Sequence, residues 1–379
     1  MNRHAERDHA LLSASSAHRW LNCPPSAVAA ELYPAQDTDF TREGTLAHEV
    51  AEHVARGGST NLEELRRQEK GYELEMMDHA EAYRDYIHEQ VKGAGATILL
   101  EQRVDFSPWV PEGFGTCDAI ILQGETMTII DYKYGMGVPV SAVDNPQMKL
   151  YALGALNDYG VAYDVKTVEM HIFQPRLDNI STDSIEVEDL LLWAEKVVKP
   201  TAEKAIKGKG THKPGDHCKF CPHAGKCRAL TKVCTEYVET HGTRVGVESL
   251  APFEVAKVLE MESLITLWLK RVKAQALADM MDGINIPGYK VVEGKQGNRK
   301  WIDELQVAGV LSAAGYALED YTETKLLSPS ALGKKISNKK VAELLIDHIE
   351  RAPGAPTIAL ETDKRPAYDR LAEAQNDFE

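Results

Sequence analysis

The sequence lacks an apolar run long enough to cross a lipid bilayer, although 43% of its 379 residues are hydrophobic. Its first twenty residues alternate charged and polar side chains and lack the continuous apolar centre of a secretion signal. It also lacks a Walker A loop, because GKGTHKPG does not end in the required Gly-Lys-Ser/Thr. These absences exclude a membrane-spanning protein and argue against secretion. We therefore expect a globular, cytoplasmic protein with no membrane partner.

Positive charge is scarce as well, since the formal net charge is −15. This disfavours a general nucleic-acid coat protein, because phosphate contacts need Lys and Arg. The charge is uneven, however: residues 201–244 hold nine Lys/Arg against four Asp/Glu, and residues 60–90 hold four against nine. A basic stretch allows an acidic protein to bind DNA, but such runs are more often solvated faces. Charge by itself leaves both interpretations open.

Cysteine is infrequent but clustered. Disulfides are not expected in a reducing cytoplasm. Three of the six Cys, at 218, 221 and 227, fall within ten residues, which favours a metal or cluster site. Together with Cys23 they form a four-thiol set that suits either Zn²⁺ or an iron–sulfur cluster. His217 and His223 offer a zinc alternative without Cys23, and we expect Cys117 and Cys234 to be packing residues.

Hydrophobic periodicity predicts an α/β fold with a central sheet flanked by helices. Helices are predicted at 13–22, 42–56, about 72–91, 145–159, most of 184–206 and 252–281. Strands are predicted at 96–104, 115–122, 126–132 and 165–174. The pattern changes near residue 246, so we predict one domain at 1–245 and a mainly helical C-terminal region at 246–379, with a β-hairpin at 287–303 and a role that is unknown.

Two aspartates and a lysine form the central chemical pattern. Asp118 lies in one predicted strand, and Asp131 ends the next, so their carboxylates can meet if the strands pair. Two carboxylates that close need a cation, and hard oxygen ligands suit Mg²⁺ or Mn²⁺. Lys133 points the same way as Asp131, where it can orient or deprotonate a water and counter phosphate charge. A short Asp-x-Lys pattern alone is more often a surface pair.

With this pattern of two aspartates and a lysine, the chain resembles the PD-(D/E)XK nuclease superfamily. It is most similar to the RecB-like branch that carries an iron–sulfur cluster, which includes AddB-type and CRISPR adaptation nucleases. The matching pieces are Gly44-Thr45-Leu46-Ala47-His48, Glu101 as the upstream acidic position, Asp131-Tyr132-Lys133, and Gln147-Met148-Lys149-Leu150-Tyr151. Gln147 and Tyr151 are four residues apart, so they share one helix face. The resemblance covers roughly residues 10–235.

The resemblance implies a restriction-endonuclease-like core with a mixed sheet and a set of site residues. It implies that His48, Asp118, Asp131 and the main-chain carbonyl of Tyr132 hold Mg²⁺ or Mn²⁺. The implied catalytic residues are Asp118, Asp131, Lys133, Gln147 and Tyr151. It also implies a [4Fe–4S] cluster on Cys23, Cys218, Cys221 and Cys227, with Zn²⁺ as the alternative. Trp20 departs from the Tyr that is more usual before the first Cys.

The resemblance implies a metal-dependent DNA nuclease similar to stand-alone proteins of phage and prophage replication. We expect an exonuclease that acts on single-stranded DNA ends in recombination, repair or phage replication. Besides DNA, a recombinase, an annealing protein or a helicase is an expected partner, and an oligomer is compatible with the sequence. Two alternatives stay open: a non-catalytic DNA-binding or scaffold module that retains the nuclease fold, and a zinc-stabilised scaffold with a chance acidic cluster.

Overall fold

The computed structural model of the protein describes residues 10–33, 39–58, 75–93, 95–242 and 252–291. A 3-10 turn at Ala14–Ser16 precedes four helices, which are α1 (Ala17–Asn22), α2 (Ser26–Ala30), α3 (Asp39–Ala55) and α4 (Glu75–Glu89). Strands β1 (Thr97–Asp105), β2 (Phe114–Gln123) and β3 (Thr126–Tyr132) follow, and α5 (Pro146–Tyr163) leads to β4 (Thr167–Gln174) and β5 (Asn179–Glu186).

The second half of the described chain is helical. It contains α6 (Val187–Trp193), a π-helical turn (Ala194–Val198), α7 (Lys199–Ala205), two 3-10 turns (Asp216–Phe220 and Pro222–Lys226), α8 (Arg228–Gly242) and α9 (Pro252–Met281). The long helix predicted at 252–281 is confirmed with the same bounds.

The five strands form one mixed sheet in the order β1-β2-β3-β4-β5. Neighbours are antiparallel except for β3 and β4, which are parallel and are joined by α5. A tight turn at Gly124, whose φ is 58°, joins β2 to β3. The predicted α/β class, with a central mixed sheet between helices, is confirmed.

Each face of the sheet carries its own hydrophobic core. Ile120 and Ile129 pack with α5, α6 and α7 on one face, whereas Ile121 and Ile130 pack with α3 and α4 on the other. Side chains alternate along a strand, so a strand buried on both faces must be apolar at nearly every position. The runs AIIL and TMTII meet that requirement. A fully buried Ile of this kind contributes about 1.5–3 kcal/mol.

Most of 184–206 is helical as predicted, from Val187 to Ala205, but the sequence did not predict strand β5, which includes residues 184–186. Half-buried and exposed positions alternate along β5, and its sequence, NISTDSIE, is mostly polar. An edge strand of this kind has little apolar signal. Its antiparallel pairing with β4 determines its conformation.

Helix α9 packs on the turns that carry three of the cysteines. Arg271 Nη2 donates to the carbonyl of Lys219 at 2.6 Å. A Cβ at Gly225 would lie 2.6 Å from the Arg271 carbonyl, so only glycine allows this approach. Residues 292–379 lie outside the described residues, and they include most of the predicted hairpin at 287–303. The division at residue 245 stays a prediction.

Candidate metal centre and cysteine cavity

Three carboxylates lie side by side on neighbouring strands. Because Leu100 pairs with Ala119, the antiparallel register of β1 and β2 places Glu101 beside Asp118. The register of β2 and β3 continues to place Asp131 on the other side of Asp118. Such cross-strand neighbours have Cβ atoms about 4.5–5.5 Å apart. Strand pairing therefore gathers acidic residues that are distant in the sequence.

The strand backbone is irregular at this point. Glu101 has a φ of 50°, in the left-handed region, which costs a residue other than glycine about 1–2 kcal/mol. On β2, Cys117 packs in the core on one face and Ala119 in the core on the other. Residues two apart normally share a face. The regular alternation is therefore interrupted at Asp118, beside Glu101.

His48 on α3 completes a group of metal-ligating atoms. Its Nδ1 lies 3.3 Å from Asp118 Oδ1. Among the described residues, one ligand atom from each of His48, Glu101 and Asp118 lies within 4.8 Å of the others. Two carboxylate oxygens and an imidazole nitrogen are suitable ligands for Mn²⁺, and the carboxylates also suit Mg²⁺. The donor set therefore fits the divalent ion that the sequence implies.

Asp131 makes different contacts. Lys133 Nζ lies 2.9 Å from its Oδ2, and Gln147 Nε2 donates to its Oδ1 at 3.1 Å. The group of ligand atoms in the structure therefore contains Glu101, whereas the side-chain ligands implied by the sequence were His48, Asp118 and Asp131. The assignments of Asp131 and of the Tyr132 carbonyl as metal ligands stay predictions.

Excess negative charge makes two of these groups retain protons. Burial lowers the pKa of His48, but the charge of Asp118 and a hydrogen bond to it outweigh burial and raise that pKa to about 9. Burial, helped by the charge of Asp118, raises the pKa of Glu101 to about 7. A bound cation would replace these protons, so the electrostatics also fit a cation site.

Lys133 is held in its charged form. Burial would lower the pKa of Lys133, but the neighbouring Asp131 raises it above the usual value. Burial would raise the pKa of Asp118, but His48, with which it also shares a hydrogen bond, and Lys133 lower it. Burial raises the pKa of Asp131, and Lys133 opposes that rise. A charged Lys133 donates hydrogen bonds and cannot accept a proton, which favours orienting a water over deprotonating one.

The first turn of α5 positions Gln147. Asn145 caps this helix, because its side-chain oxygen accepts from the backbone N–H of Gln147 at 3.0 Å, and proline follows the cap. Gln147 Nε2 also donates to the Tyr151 hydroxyl at 3.3 Å, so the two residues share a face as predicted. A Cβ at Gly115 would lie 2.7 Å from the Tyr151 ring. Gly115 was not singled out in the sequence, although glycine inside a strand often marks such an approach.

The four cysteines predicted to bind a cluster line one cavity. Cys23 follows α1, and Cys218, Cys221 and Cys227 belong to the 3-10 turns or flank them. Cys117 is fully buried in the sheet core, and Cys234 is fully buried beside Cys218 and Cys221 without lining the cavity, in agreement with packing roles. Burial raises the pKa of the Cys218 thiol to about 11. Binding a metal or cluster there must therefore displace thiol protons.

Three histidines also line this cavity. His212 Nδ1 lies 3.8 Å from Cys23 Sγ. His217 Nε2 lies 2.8 Å from the Lys213 carbonyl, and His223 Nδ1 lies 3.1 Å from the Tyr33 hydroxyl. Four thiols in one cavity fit a [4Fe–4S] cluster and Zn²⁺ alike. His212 was not singled out from the sequence, since it lies outside the cysteine run.

Within the parts of the chain that the structure describes, no helix has both the length and the apolar character that crossing a membrane requires. The sequence matches a family described as "Protein of unknown function (DUF2800)" over residues 9–366. The chain belongs to this family. The DUF2800 match includes the acidic centre, the cysteine cavity and α9.

A solved structure titled "Crystal structure of SSO0001" is similar at 14% identity. The match covers 54% of the DUF2800 chain and 95% of the other, with a TM-score of 0.24.

In the DUF2800 chain, side chains at both ends of helix α3 contact the sheet or the turn that follows β4. Arg176, just after β4, places Nη1 2.8 Å from Glu43 Oε1 and Nε 3.4 Å from Glu75 Oε1. At the other end, Arg56 Nη2 donates to the Leu100 carbonyl at 2.9 Å. His48 lies between these attachments. Sequence reasoning missed them, because isolated charges on a helix predict a solvated face.

Proposed function

We propose that this protein is a metal-dependent DNA nuclease of the RecB-like PD-(D/E)XK type. One observation carries the proposal: side chains from five separate segments meet at one place. They are His48 from α3, Glu101 from β1, Asp118 from β2, Asp131 from β3 with Lys133 just after it, and Gln147 from α5. Their chemical types and their order along the chain are those of the superfamily that the sequence resembles.

His48, Glu101 and Asp118 would hold Mg²⁺ or Mn²⁺. When bound, such an ion polarises the phosphoryl oxygen and activates water for attack on phosphorus. Lys133 donates hydrogen bonds from a fixed position beside Asp131, which orients a water and counters phosphate charge. Gln147 holds the other oxygen of Asp131 and so orients that carboxylate.

DNA as the substrate is supported by the resemblance and by exposed cations near the cysteine cavity. Within the basic stretch of residues 201–244, the exposed side chains include Lys204, Lys207, Lys209, Lys213 and Lys219. Such a local excess can contact phosphates although the whole chain is acidic. We propose exonuclease action on single-stranded ends, in cytoplasmic recombination, repair or phage replication, with a recombinase, annealing protein or helicase as partner.

The cysteine cavity would hold a [4Fe–4S] cluster in this function. A cluster bound by its four thiols would join the start of the nuclease segment to its end. A structural role follows from this position, because a cluster that joins distant segments restricts the unfolded chain.

Cleavage of end-labelled single- and double-stranded DNA with Mg²⁺ or Mn²⁺ tests the proposal. We expect metal-dependent cleavage that EDTA stops. Asp131→Asn should lower the rate by roughly a hundredfold or more, because it removes the carboxylate that holds Lys133, and DNA binding should persist. Asp189→Asn on α6 is the matched control, since Asp189 is an exposed carboxylate outside the site, and it should cleave like the wild type.

The outcomes separate the proposed function from its alternatives. Wild-type protein that binds DNA but cleaves none with either metal would be a DNA-binding or scaffold module. Protein that neither binds nor cleaves DNA and contains zinc would be a zinc-stabilised scaffold. Equal cleavage by Asp131→Asn and wild type would overturn the assignment of the site.

A further inference from the structure

Residues 135–143 form a loop, the 135–143 loop, between two residues that belong to the candidate metal centre. Lys133 precedes it and lies 2.9 Å from Asp131 Oδ2. Gln147 follows it and donates to Asp131 Oδ1 at 3.1 Å. The residues that flank the loop on either side thus contact the same carboxylate. A DNA strand bound at this carboxylate would therefore lie near the start and the end of the loop.

The 135–143 loop is held by hydrogen bonds along its length. Gln174 donates to the carbonyls of Gly135 at 2.6 Å and Val138 at 3.2 Å, and it accepts from the Val140 N–H at 3.0 Å. Asn179 donates to the Val140 carbonyl at 2.9 Å. Further bonds run from the Ala142 and Asp144 N–H groups to the side chains of Ser181 and Asp183. These bonds hold the loop in one conformation, in which Ala142 is buried and Met136, Val138 and Val143 are exposed.

The large outward side chains of the 135–143 loop are apolar. Met136 is 56% exposed, Val138 53% and Val143 64%. The stretch 134–143, YGMGVPVSAV, contains no charged residue, although 27% of the chain is charged. A Cβ at Gly135 or Gly137 would meet no atom within 4 Å, so the space around the tip is open. A loop without cations provides no charged side chain for phosphates, which are most often contacted by Lys and Arg.

We propose that the 135–143 loop contacts the unpaired bases of the strand whose phosphate lies at the metal centre. This inference rests on the nuclease function proposed above and specifies its substrate as single-stranded or frayed DNA. Base faces are flat and apolar, and they become accessible when the bases are unpaired. Met and Pro side chains are among those that proteins insert between bases. Met136 and Val138 present such surfaces in the loop whose flanking residues Lys133 and Gln147 contact Asp131, so nucleotides next to a bound phosphate could reach them.

The test compares Met136→Ser/Val138→Ser with Val161→Ser in the full-length protein. Val161 is an equally apolar control that is 97% exposed on α5, fourteen residues beyond Gln147. At 1.5 Å per residue this is roughly 21 Å away. Fluorescence anisotropy, in EDTA to prevent cleavage, measures binding to a labelled single-stranded oligonucleotide and to an abasic strand of equal length. The double variant should bind the normal strand roughly tenfold more weakly and the abasic strand unchanged. The Val161→Ser variant should match the wild type on both.

The same proteins are assayed for cleavage of DNA and of bis(p-nitrophenyl) phosphate, a diester without bases. Normal cleavage of this diester by the double variant, with weaker binding of the normal strand, supports the inference and shows that the site is intact. Base-dependent binding that is equal in the double variant and wild type overturns the inference, even if DNA is cleaved. Loss of base-dependent binding without any cleavage by the wild type overturns the nuclease function and leaves the base contact standing. Absence of DNA binding overturns both.

Discussion

At the residue scale, Glu101 combines backbone strain with a chemical role. Its φ of 50° inside β1 is unfavourable for any residue except glycine. Strained residues persist where the surrounding structure holds them, and they concentrate at functional sites. Here the strain coincides with the position at which a carboxylate meets His48 and Asp118. We infer that pairing with β2 and the approach of α3 offset the strain.

The proton-retaining groups of the metal centre predict how metal affinity depends on pH. His48, with a pKa of about 9, and Glu101, with a pKa of about 7, must lose protons before they bind a cation. Mn²⁺ affinity should therefore rise as pH increases. The rise should be about a hundredfold per pH unit below pH 7 and about tenfold between pH 7 and 9, and it should level off above pH 9. Isothermal titration calorimetry at several pH values measures this slope.

Glu101→Gln is the matched variant for that titration. It keeps the size of the side chain but removes one titrating group, so the slope below pH 7 should fall to about tenfold per unit. Glu112→Gln changes an acidic residue outside the metal centre and should leave the profile unaltered. A metal affinity that is independent of pH would argue against His48 and Glu101 as ligands.

At the scale of elements, the position of His48 depends on how α3 is attached. Arg176 is only 4% exposed in its side chain and bridges Glu43 on α3 to Glu75 on α4. Its guanidinium carbon also lies 4.8 Å from the centroid of the Tyr134 ring. Breaking a buried ion pair leaves an uncompensated charge, which typically costs 3–5 kcal/mol.

We predict that Arg176→Met lowers the free energy of unfolding by about 3 kcal/mol and also weakens Mn²⁺ binding. The loss follows because Glu43 and Glu75 would stay half-buried or buried without their cation, and α3 would shift with His48. Urea unfolding measures stability, and calorimetry measures binding.

Arg84→Met is the control for this prediction, because Arg84 pairs with Asp85 on the exposed side of α4. An exposed pair contributes about 0–1 kcal/mol, so stability should change little. Adding Glu43→Gln and Glu75→Gln to Arg176→Met should restore part of the stability. If Mn²⁺ binding is unaltered in Arg176→Met, the arginine does not position His48.

At the scale of the whole described molecule, the cysteine cavity joins distant parts of the chain. Cys23 and Cys218 are 195 positions apart. Cross-linking a loop of this length restricts the unfolded chain by about 5 kcal/mol in the loop-closure estimate. Helix α9 packs on the same turns through Arg271 Nη2, which donates to the Lys219 carbonyl at 2.6 Å. It also packs on α8, where Trp268 Nε1 donates to the Thr231 hydroxyl at 3.1 Å. The cavity therefore joins the chain after α1 to the turns, and α9 packs against those turns from outside the cavity.

Anaerobically purified protein should contain iron and absorb broadly in the blue part of the visible spectrum. Cys221→Ser should lose both and unfold at lower urea concentration, because one of four ligands is missing. Iron analysis, absorption spectroscopy and urea unfolding check this.

Cys234→Ala is the matched control for the cluster. Cys234 is fully buried but does not line the cavity, so iron and colour should persist. Colourless wild-type protein with one equivalent of zinc would decide for the zinc alternative.

The sequence by itself determined much of the fold and most of the candidate site. Apolar runs buried on both faces predicted strands β2 and β3, and helical periodicity predicted α3, α4, α5 and α9. These features depend on local pattern, which a linear sequence displays. The short turn between β2 and β3 predicted that Asp118 and Asp131 lie close, because it favours antiparallel pairing, whereas the place of His48 was implied by the family resemblance.

Only the tertiary structure decided what depends on contacts between distant segments. The polar edge strand β5 forms because it pairs with β4 through backbone hydrogen bonds, and its sequence has no apolar pattern that predicts a strand. Glu101 joins His48 and Asp118 through a strained backbone that its residue type does not favour. Arg176 is buried because two helices bring carboxylates to it. Strand pairing, backbone strain and the burial of charge depend on contacts between distant segments, so they arise only in the folded chain.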